Sequence, residues 1–282
     1  MKKILNIIAV ISVLAAFQSC SQDLHQHPAF NYPERTPVGG KDLPEGCIMH
    51  MSFDDTTLTV QGDDAMAYTY NGKTPELTDG ISGKAYQGKD GNAIMINPML
   101  ELTRALKNLG SFTYTAWIKY DGGNSASCAL FALSDPDKYF ANIDLFIEGN
   151  TTTNFYFKGY FNSNNGEKWL DRGNDAKVPL NDIAGKWTQI GLVYDATIST
   201  ARIYINGTEL CEGAFTGFGE LTFNAIGKMV LGAHPAMTGI TSDTTSWPAS
   251  GSFYTGAMDE LYLYNKALTS DQIAAQYNSQ KS

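Results

Sequence analysis

Near its C-terminus the chain reads FYTGAMDELYLYNKAL, from Phe253 to Leu268. A strand points successive side chains to opposite faces. Strict alternation therefore puts Ala257, Asp259, Leu261 and Leu263 on one face, and Met258, Glu260, Tyr262 and Tyr264 on the other. The pattern predicts a strand that buries an apolar face, and it sets a carboxylate, Asp259, in the apolar row. An unpaired buried charge costs several kcal/mol, so the fold has to bring Asp259 a cation or strong hydrogen-bond donors.

Outward from this strand, runs of the same kind recur along the chain: CIMHMSF (47–53), SFTYTAWIKY (111–120), CALFAL (128–133), NIDLFIEG (142–149), NFYFKGYF (154–161), WTQIGLVYD (187–195), ARIYI (201–205) and KMVLGA (228–233). Turn-forming residues separate them. This spacing predicts an all-β, two-sheet antiparallel jelly-roll sandwich. Asn206-Gly207, between alternating flanks, predicts a two-residue hairpin whose central residues both need positive φ.

Two short peripheral helices are expected as well. In NPMLELTRALKNLG (97–110), Asn97 can cap, Pro98 suits the first turn, Met99, Leu102, Leu106 and Leu109 share a face, and Gly110 ends the helix. In LTSDQIAAQY (268–277), Thr269 and Gln272 have capping-box spacing, with Ile273 and Tyr277 one turn apart as anchors.

The chain of 282 residues opens with MKKILNIIAVISVLAAFQSC. Lys2 and Lys3 form a basic start, and the apolar run Ile4–Phe17 has signal-segment length, short of the roughly 20 residues of a membrane span. The closing FQSC resembles a lipoprotein box of the looser kind seen in Bacteroidetes, with Cys20 as the lipidated residue. The expected organisation is a signal peptide over 1–19, a proline-rich polar tether over 20–43 and one domain over 44–279. His25 and His27 in that tether are read as solvated. The expected location is the cell envelope, as an outer-membrane lipoprotein facing the periplasm or the surface, with the lipid as its sole membrane contact.

A net charge of −9 with dispersed acids and no basic cluster beyond the signal argues against nucleic acid or anionic membranes as partners. It is compatible with calcium. Cys47, Cys128 and Cys211 match no zinc spacing and read as small buried hydrophobes.

Four stretches in order, GKAYQGKDGNAIMI, GSFTYTAWIKY, GKWTQIGLVYDATISTARIYINGTEL and GAMDELYLYNKALTSDQIAAQY, resemble the laminin G-like group of the concanavalin A-like lectin/glucanase superfamily. The resemblance covers about Gly46 to Asn278. It implies a jelly roll with the N- and C-terminal strands near one another, Trp117 and Trp187 in the core, and the last helix packed outside the sandwich. It also implies a structural calcium ion held between Asp259 and the SFDD stretch, most directly Asp54. The other way to satisfy Asp259 is through backbone N–H groups or a basic side chain.

The superfamily's glucanases place paired carboxylates on one strand. Here the nearest stretch, Asn142 to Glu148, puts Asn142 where the first acid belongs, and Asp144 and Glu148 stand four residues apart, about 13 Å along a strand and too far for paired carboxyl chemistry. The residues therefore point to binding rather than catalysis. Sugar recognition needs aromatic faces and planar polar groups. Trp169 and Trp247 lie in polar loop-like sequence, and Asn154, Tyr156, Lys158 and Tyr160 form the polar face of a strand. The expected function is a lipid-anchored carbohydrate-binding protein, within a glycan-uptake system. The alternatives are an envelope adhesin or protein-interaction module with the same fold and envelope protein partners, and a divergent glycoside hydrolase.

A Cys20→Ala variant is expected to leave the membrane fraction without unfolding. Wild-type protein that carries no lipid by mass spectrometry would refute the anchor.

Overall fold

The computed structural model describes residues 43–62, 65–122, 127–138, 140–149, 154–170, 178–241 and 251–281. The signal segment with Cys20, the tether and Trp247 lie outside the described residues, as does the side chain of Asn154.

The strands in chain order begin with β1 (Cys47–Met51), β2 (Gln61–Gly62), β3 (Ala65–Thr69), β4 (Leu77–Asp79), β5 (Lys84–Gly88), β6 (Ile94–Pro98) and β7 (Asn108–Gly110). They continue with β8 (Phe112–Tyr120), β9 (Cys128–Leu133), β10 (Ile143–Gly149), β11 (Asn154–Ser163), β12 (Gly166–Leu170) and β13 (Val178–Asn181). The last are β14 (Thr188–Asp195), β15 (Thr200–Ile205), β16 (Thr208–Ala214), β17 (Leu221–Thr222), β18 (Met229–Leu231) and β19 (Gly256–Tyr264). Two large antiparallel sheets result, and β7 and β17 form a separate small pair. The front sheet runs β16-β15-β14-β8-β19-β1-β2, with β5 also on β19 and β4 on β5. The back sheet runs β12-β11-β10-β9-β18-β6-β3, with β13 on β11.

One core joins the inner faces. From β8 it takes Phe112, Tyr114, Ala116 and Ile118, and from the back sheet Leu130, Ile143, Leu145 and Met229. The residues between the inward ones on β8 face the other way, under a helix, α2 (Ser270–Gln280). Thr269 and Gln272 form the predicted capping box. Ile273 is buried with Val193, Tyr204, Tyr264 and Leu268, Tyr277 stacks on Trp117 at 5.4 Å, and Trp117 Nε1 donates to Gln280 Oε1 at 2.9 Å. Trp117 is therefore buried outside the sandwich, beneath α2. Trp187 precedes β14 and is only half-buried, so it is not a core residue.

The first helix, α1 (Leu100–Lys107), is shorter than its pattern suggests. Asn97 and Pro98 are taken up by β6, which they can join because its pairing with β3 continues to Ala65↔Pro98, and Met99 occupies the cap position with no side-chain bond. Leu102 and Leu106 are buried, Leu109 belongs to β7, and Met99 is exposed. No helix among the described residues is long and apolar enough to cross a membrane.

The strict alternation expected of β19 fails at one point. Met258, Leu261 and Leu263 all join the core, so the phase slips by one residue between them. The slip is a bulge at Asp259–Glu260: Glu260 has φ +46°, and the register with β8 shifts between Asp259 and Tyr262. A bulge adds one residue to one strand and rotates the side chains around it. Asp259 is therefore out of the core row in which alternation placed it. The bulge lies where β19 changes partners, from β5 (last pair Met258↔Tyr86) to β1 (first pair Leu261↔Met51).

Asn206 and Gly207 take φ +50° and +76°, as the predicted hairpin requires. The turn also packs on α2, where a Cβ at Gly207 would lie 3.0 Å from that of Tyr277. Gly207→Ala is expected to destabilise the domain by more than about 1 kcal/mol in urea unfolding, from φ strain and crowding together. Asn206→Gly should cost far less.

Candidate functional site

The gap that opens in the front sheet between β5 and β1 is filled by acids. Asp259 Oδ2 accepts from the backbone N–H of Ile81 at 2.8 Å and of Ser82 at 3.1 Å, and Oδ1 accepts from Glu260 N–H at 2.8 Å. Asp54, just after β1, accepts from Lys84 N–H at 2.9 Å. Both carboxylates thus hold the Gly80–Gly83 turn between β4 and β5. That turn needs its glycines: a Cβ on Gly80 would sit 2.4 Å from Asp259 Oδ2, and one on Gly83 2.1 Å from Asp54 Oδ1. Glu260 turns to His50, whose Nε2 lies 2.9 Å from Glu260 Oε2, and Tyr262 OH donates to the same oxygen at 2.8 Å.

Backbone donors answer the question Asp259 poses, but without a countercharge. Burial, reinforced by the neighbouring Glu260 carboxylate, pushes its carboxyl up to about 7 in spite of the three N–H bonds. Among the described residues no group of three or more acidic, His or Cys side chains surrounds a metal position. The sequence signal for the turn was present in Asp79-Gly80-Ile81-Ser82-Gly83, a run of turn formers.

A second feature crosses the outer face of the back sheet. Successive registers link Tyr68↔Met95, Met95↔Val230, Val230↔Ala132, Ala132↔Asp144, Asp144↔Tyr160 and Tyr160↔Trp169. These residues form one continuous cross-strand row over seven strands, about 29 Å long at normal strand spacing. It is aromatic at both ends.

At the β12 end Trp169 is 39% exposed, enough to offer an aromatic surface. Its ring packs against Tyr160 at 4.6 Å and edge-on to Phe140 at 5.2 Å. Tyr160 itself is buried, and burial raises its phenol far above the ordinary value. Tyr156, two positions further along the same face of β11, is half-buried. Two of the three described tyrosine and tryptophan candidates, Tyr160 and Trp169, are therefore in contact, while Tyr156 shares their face. Lys158 between the two tyrosines pairs with Glu148, so Glu148 is engaged in an ion pair, and Asp144 Oδ2 meets His234 Nδ1 at 2.8 Å.

At the β3 end lies a cleft of about 620 Å³, lined by Tyr68, Tyr70, Asn97, Thr103, Lys228 and Thr238 among others. Tyr68 and Tyr70 are 40% and 41% exposed, and Lys228 Nζ donates to Tyr68 OH at 2.8 Å. Aromatic faces, an amide, hydroxyls and a cation around one cleft are a sugar-binding chemistry. Sequence reasoning missed it. The available signal was the alternation of AMAYTY (65–70), whose tyrosines were hidden in an otherwise unremarked stretch.

The fold occurs widely among solved structures. Domain 4 of AbnA, a GH43 extracellular arabinanase from Geobacillus stearothermophilus solved with arabinotriose, matches with TM-score 0.53 and 20% identity, over 81% of this chain and 97% of that one. Botulinum neurotoxin type C, whose cell entry depends on two ganglioside molecules, matches with TM-score 0.60 and 13% identity, over 84% of this chain and 52% of that one. The binding domain of botulinum neurotoxin DC, solved with rat synaptotagmin II, matches with TM-score 0.57 and 13% identity over 83% and 52%. The chain thus spans about half the length of the toxin chains. No curated protein sequence matches it. A laminin G family model, described as the concanavalin A-like lectin/glucanases superfamily, matches residues 95–274, well over half of the chain. With both sheets in place and this match across them, the chain belongs to the concanavalin A-like lectin/glucanase superfamily.

Proposed function

We propose that the protein binds a glycan along the outer face of the back sheet. The observation that carries this reading is the cross-strand row, with Trp169 at one end and the Tyr68–Tyr70 cleft at the other. The segment Ala233–Thr238 supports a division of the row into two stations, since His234 sits against Asp144 at its middle. Each station pairs an exposed aromatic surface with polar groups: Asn97, Thr103 and Lys228 in the cleft, and Tyr160 with Asn162 beside Trp169. An arabinanase domain solved with arabinotriose and a toxin whose cell entry depends on two ganglioside molecules, both similar in fold, support a glycan as the ligand class. The net charge of −9 favours neutral over highly anionic glycans. A lipid anchor at Cys20 would hold this face at the cell envelope, within a glycan-uptake system.

A protein-binding module is the second reading. It is favoured by the exposed Met66, Met99 and Leu100, at 61%, 44% and 63%, an apolar group near the cleft edge that sugar binding does not call for.

We also propose that Asp54 and Asp259 hold a structural calcium ion. The support is the chemistry of the donors: two hard carboxylates on one glycine-bearing turn, with Asp259 buried and lacking a cation. Calcium accepts carboxylate and carbonyl oxygens together, so the turn's backbone can complete a shell. The bound ion would supply charge that keeps Asp259 ionised.

Truncating an exposed stacking ring should remove about 1–3 kcal/mol of binding, tenfold to over a hundredfold in affinity. Affinity electrophoresis of Trp169→Ala and Tyr68→Ala on neutral polysaccharides is expected to show this with melting temperatures nearly unchanged. A wild type that no polysaccharide retards would move the protein-binding reading to the front.

The raised Asp259 carboxyl gives a signed pH test. In chelator the folded state holds a proton that the unfolded state has lost, so stability should fall as pH rises from about 4 to about 7. Asp259→Asn should flatten that dependence, and calcium should raise the wild-type melting temperature at pH 7.5. An unchanged melting curve with calcium or EDTA would leave Asp259 satisfied by backbone alone.

A further inference from the structure

The middle of the row holds a constellation that glycan binding does not use. Asp144 comes from β10, His234 from the segment after β18, and Ser127 from the residue before β9. His234 Nδ1 lies 2.8 Å from Asp144 Oδ2, and His234 Nε2 lies 3.0 Å from Ser127 Oγ. We propose that these three side chains form a nucleophile, base and carboxylate triad that hydrolyses a small acyl ester.

The hydrogen-bond chain suits the form this chemistry needs, a neutral imidazole beside a carboxylate. An ionised carboxylate only accepts, so Nδ1 carries the ring proton toward Asp144. Nε2 is then left with its lone pair facing the Ser127 hydroxyl, which is the general-base tautomer. His234 and Phe146 form an edge-to-face pair with ring centroids 5.3 Å apart, which restrains the imidazole plane. Asp144, His234 and Ser127 are 0%, 3% and 4% exposed, so the chain operates in a low-dielectric setting that strengthens it. Asp144 Oδ1 is buried without a hydrogen-bond partner, so the bond to His234 carries the orientation of that carboxyl. Such triads are recognised by geometry and roles, not by local sequence. The absence of a serine elbow motif in the sequence therefore does not bear on it.

In the proposed reaction the Ser127 oxygen attacks the ester carbonyl carbon while its proton passes to His234 Nε2. The tetrahedral adduct collapses, the alkoxide leaves, and His234 returns the proton to it. Water then attacks the acyl-serine, losing a proton to Nε2, and the acid departs as Ser127 recovers its hydrogen. With Ser127 so enclosed, the acyl group has to be short. The row's two aromatic stations make an O-acetyl group on a bound glycan the matching substrate class; this part rests on the glycan reading above, whereas the triad does not.

The test is covalent labelling of the intact protein with a fluorophosphonate, together with hydrolysis of p-nitrophenyl acetate and release of acetate from acetylated xylan. One phosphonyl group is expected on Ser127 by peptide mass spectrometry, and none in Ser127→Ala. Asp144→Asn should slow ester hydrolysis by roughly 10³- to 10⁴-fold, because it permits the wrong tautomer. A purely structural chain would shift only melting temperatures. The proposal fails if the wild type hydrolyses p-nitrophenyl acetate no faster than Ser127→Ala, or if the label lands elsewhere. Ser127→Ala, the smallest change, decides the matter where substitutions at His234 unfold the domain. Labelling of Ser127 without release of acetate from xylan would uphold the triad and overturn the glycan ester as substrate. Glycan retention without labelling would overturn the triad alone.

Discussion

One strand in this domain has to satisfy two neighbours on the same edge. β19 pairs with β5 through its first residues and with β1 through its last, and β8 holds its other edge throughout. Two incoming strands cannot share an edge without leaving backbone groups unpaired between them, and buried backbone polar groups need partners. The bulge at Asp259–Glu260 resolves that conflict. It brings one carboxylate to the unpaired N–H groups of the β4–β5 turn and the next to His50 and Tyr262. The front sheet, the glycine-bearing turn and the cation chemistry proposed there all follow from that junction.

The back sheet poses the opposite problem. Its inner face is ordinary core, but its outer face carries a row that changes from aromatic to small and apolar and back again. The small middle, Ala132 and Val230, lets the segment after β18 lie close to the sheet, and His234 reaches Asp144 from there. The large ends, Tyr68 and Trp169, stay partly open. Side-chain size along one cross-strand row thus separates an enclosed middle from open ends.

Much of the architecture was legible in the sequence because it depends on local periodicity. The strand runs, the Asn206-Gly207 turn and the Thr269–Gln272 capping box all appear where the residues place them. Two misreadings have the same origin. Alternation could not reveal the bulge, since the extra residue answers to partners about 178 positions away, at Ile81 and Ser82. The Asn97 cap failed because tertiary pairing with β3 claimed that residue. The site was less legible still: Trp169 and Tyr160 were visible as aromatics in polar sequence, whereas their alignment with Tyr68 arises only from sheet order. Asp144 could be weighed against glucanase carboxylates, but His234 and Ser127 are brought to it by loops that carry no motif.

The position of β19 also bears on how the chain comes to be folded. As an interior strand of the front sheet it is flanked by β8 on one side and by β1 and β5 on the other, yet it is the last strand of the described chain. The bond between His50 and Glu260 spans 210 residues. Until that strand arrives, β8, β1 and β5 each present an open edge and the sheet is in three pieces, so few early contacts reward the entropy of closing so long a loop. A chain made from its N-terminus therefore completes the front sheet only once β19 has been made, long after β1, β5 and β8.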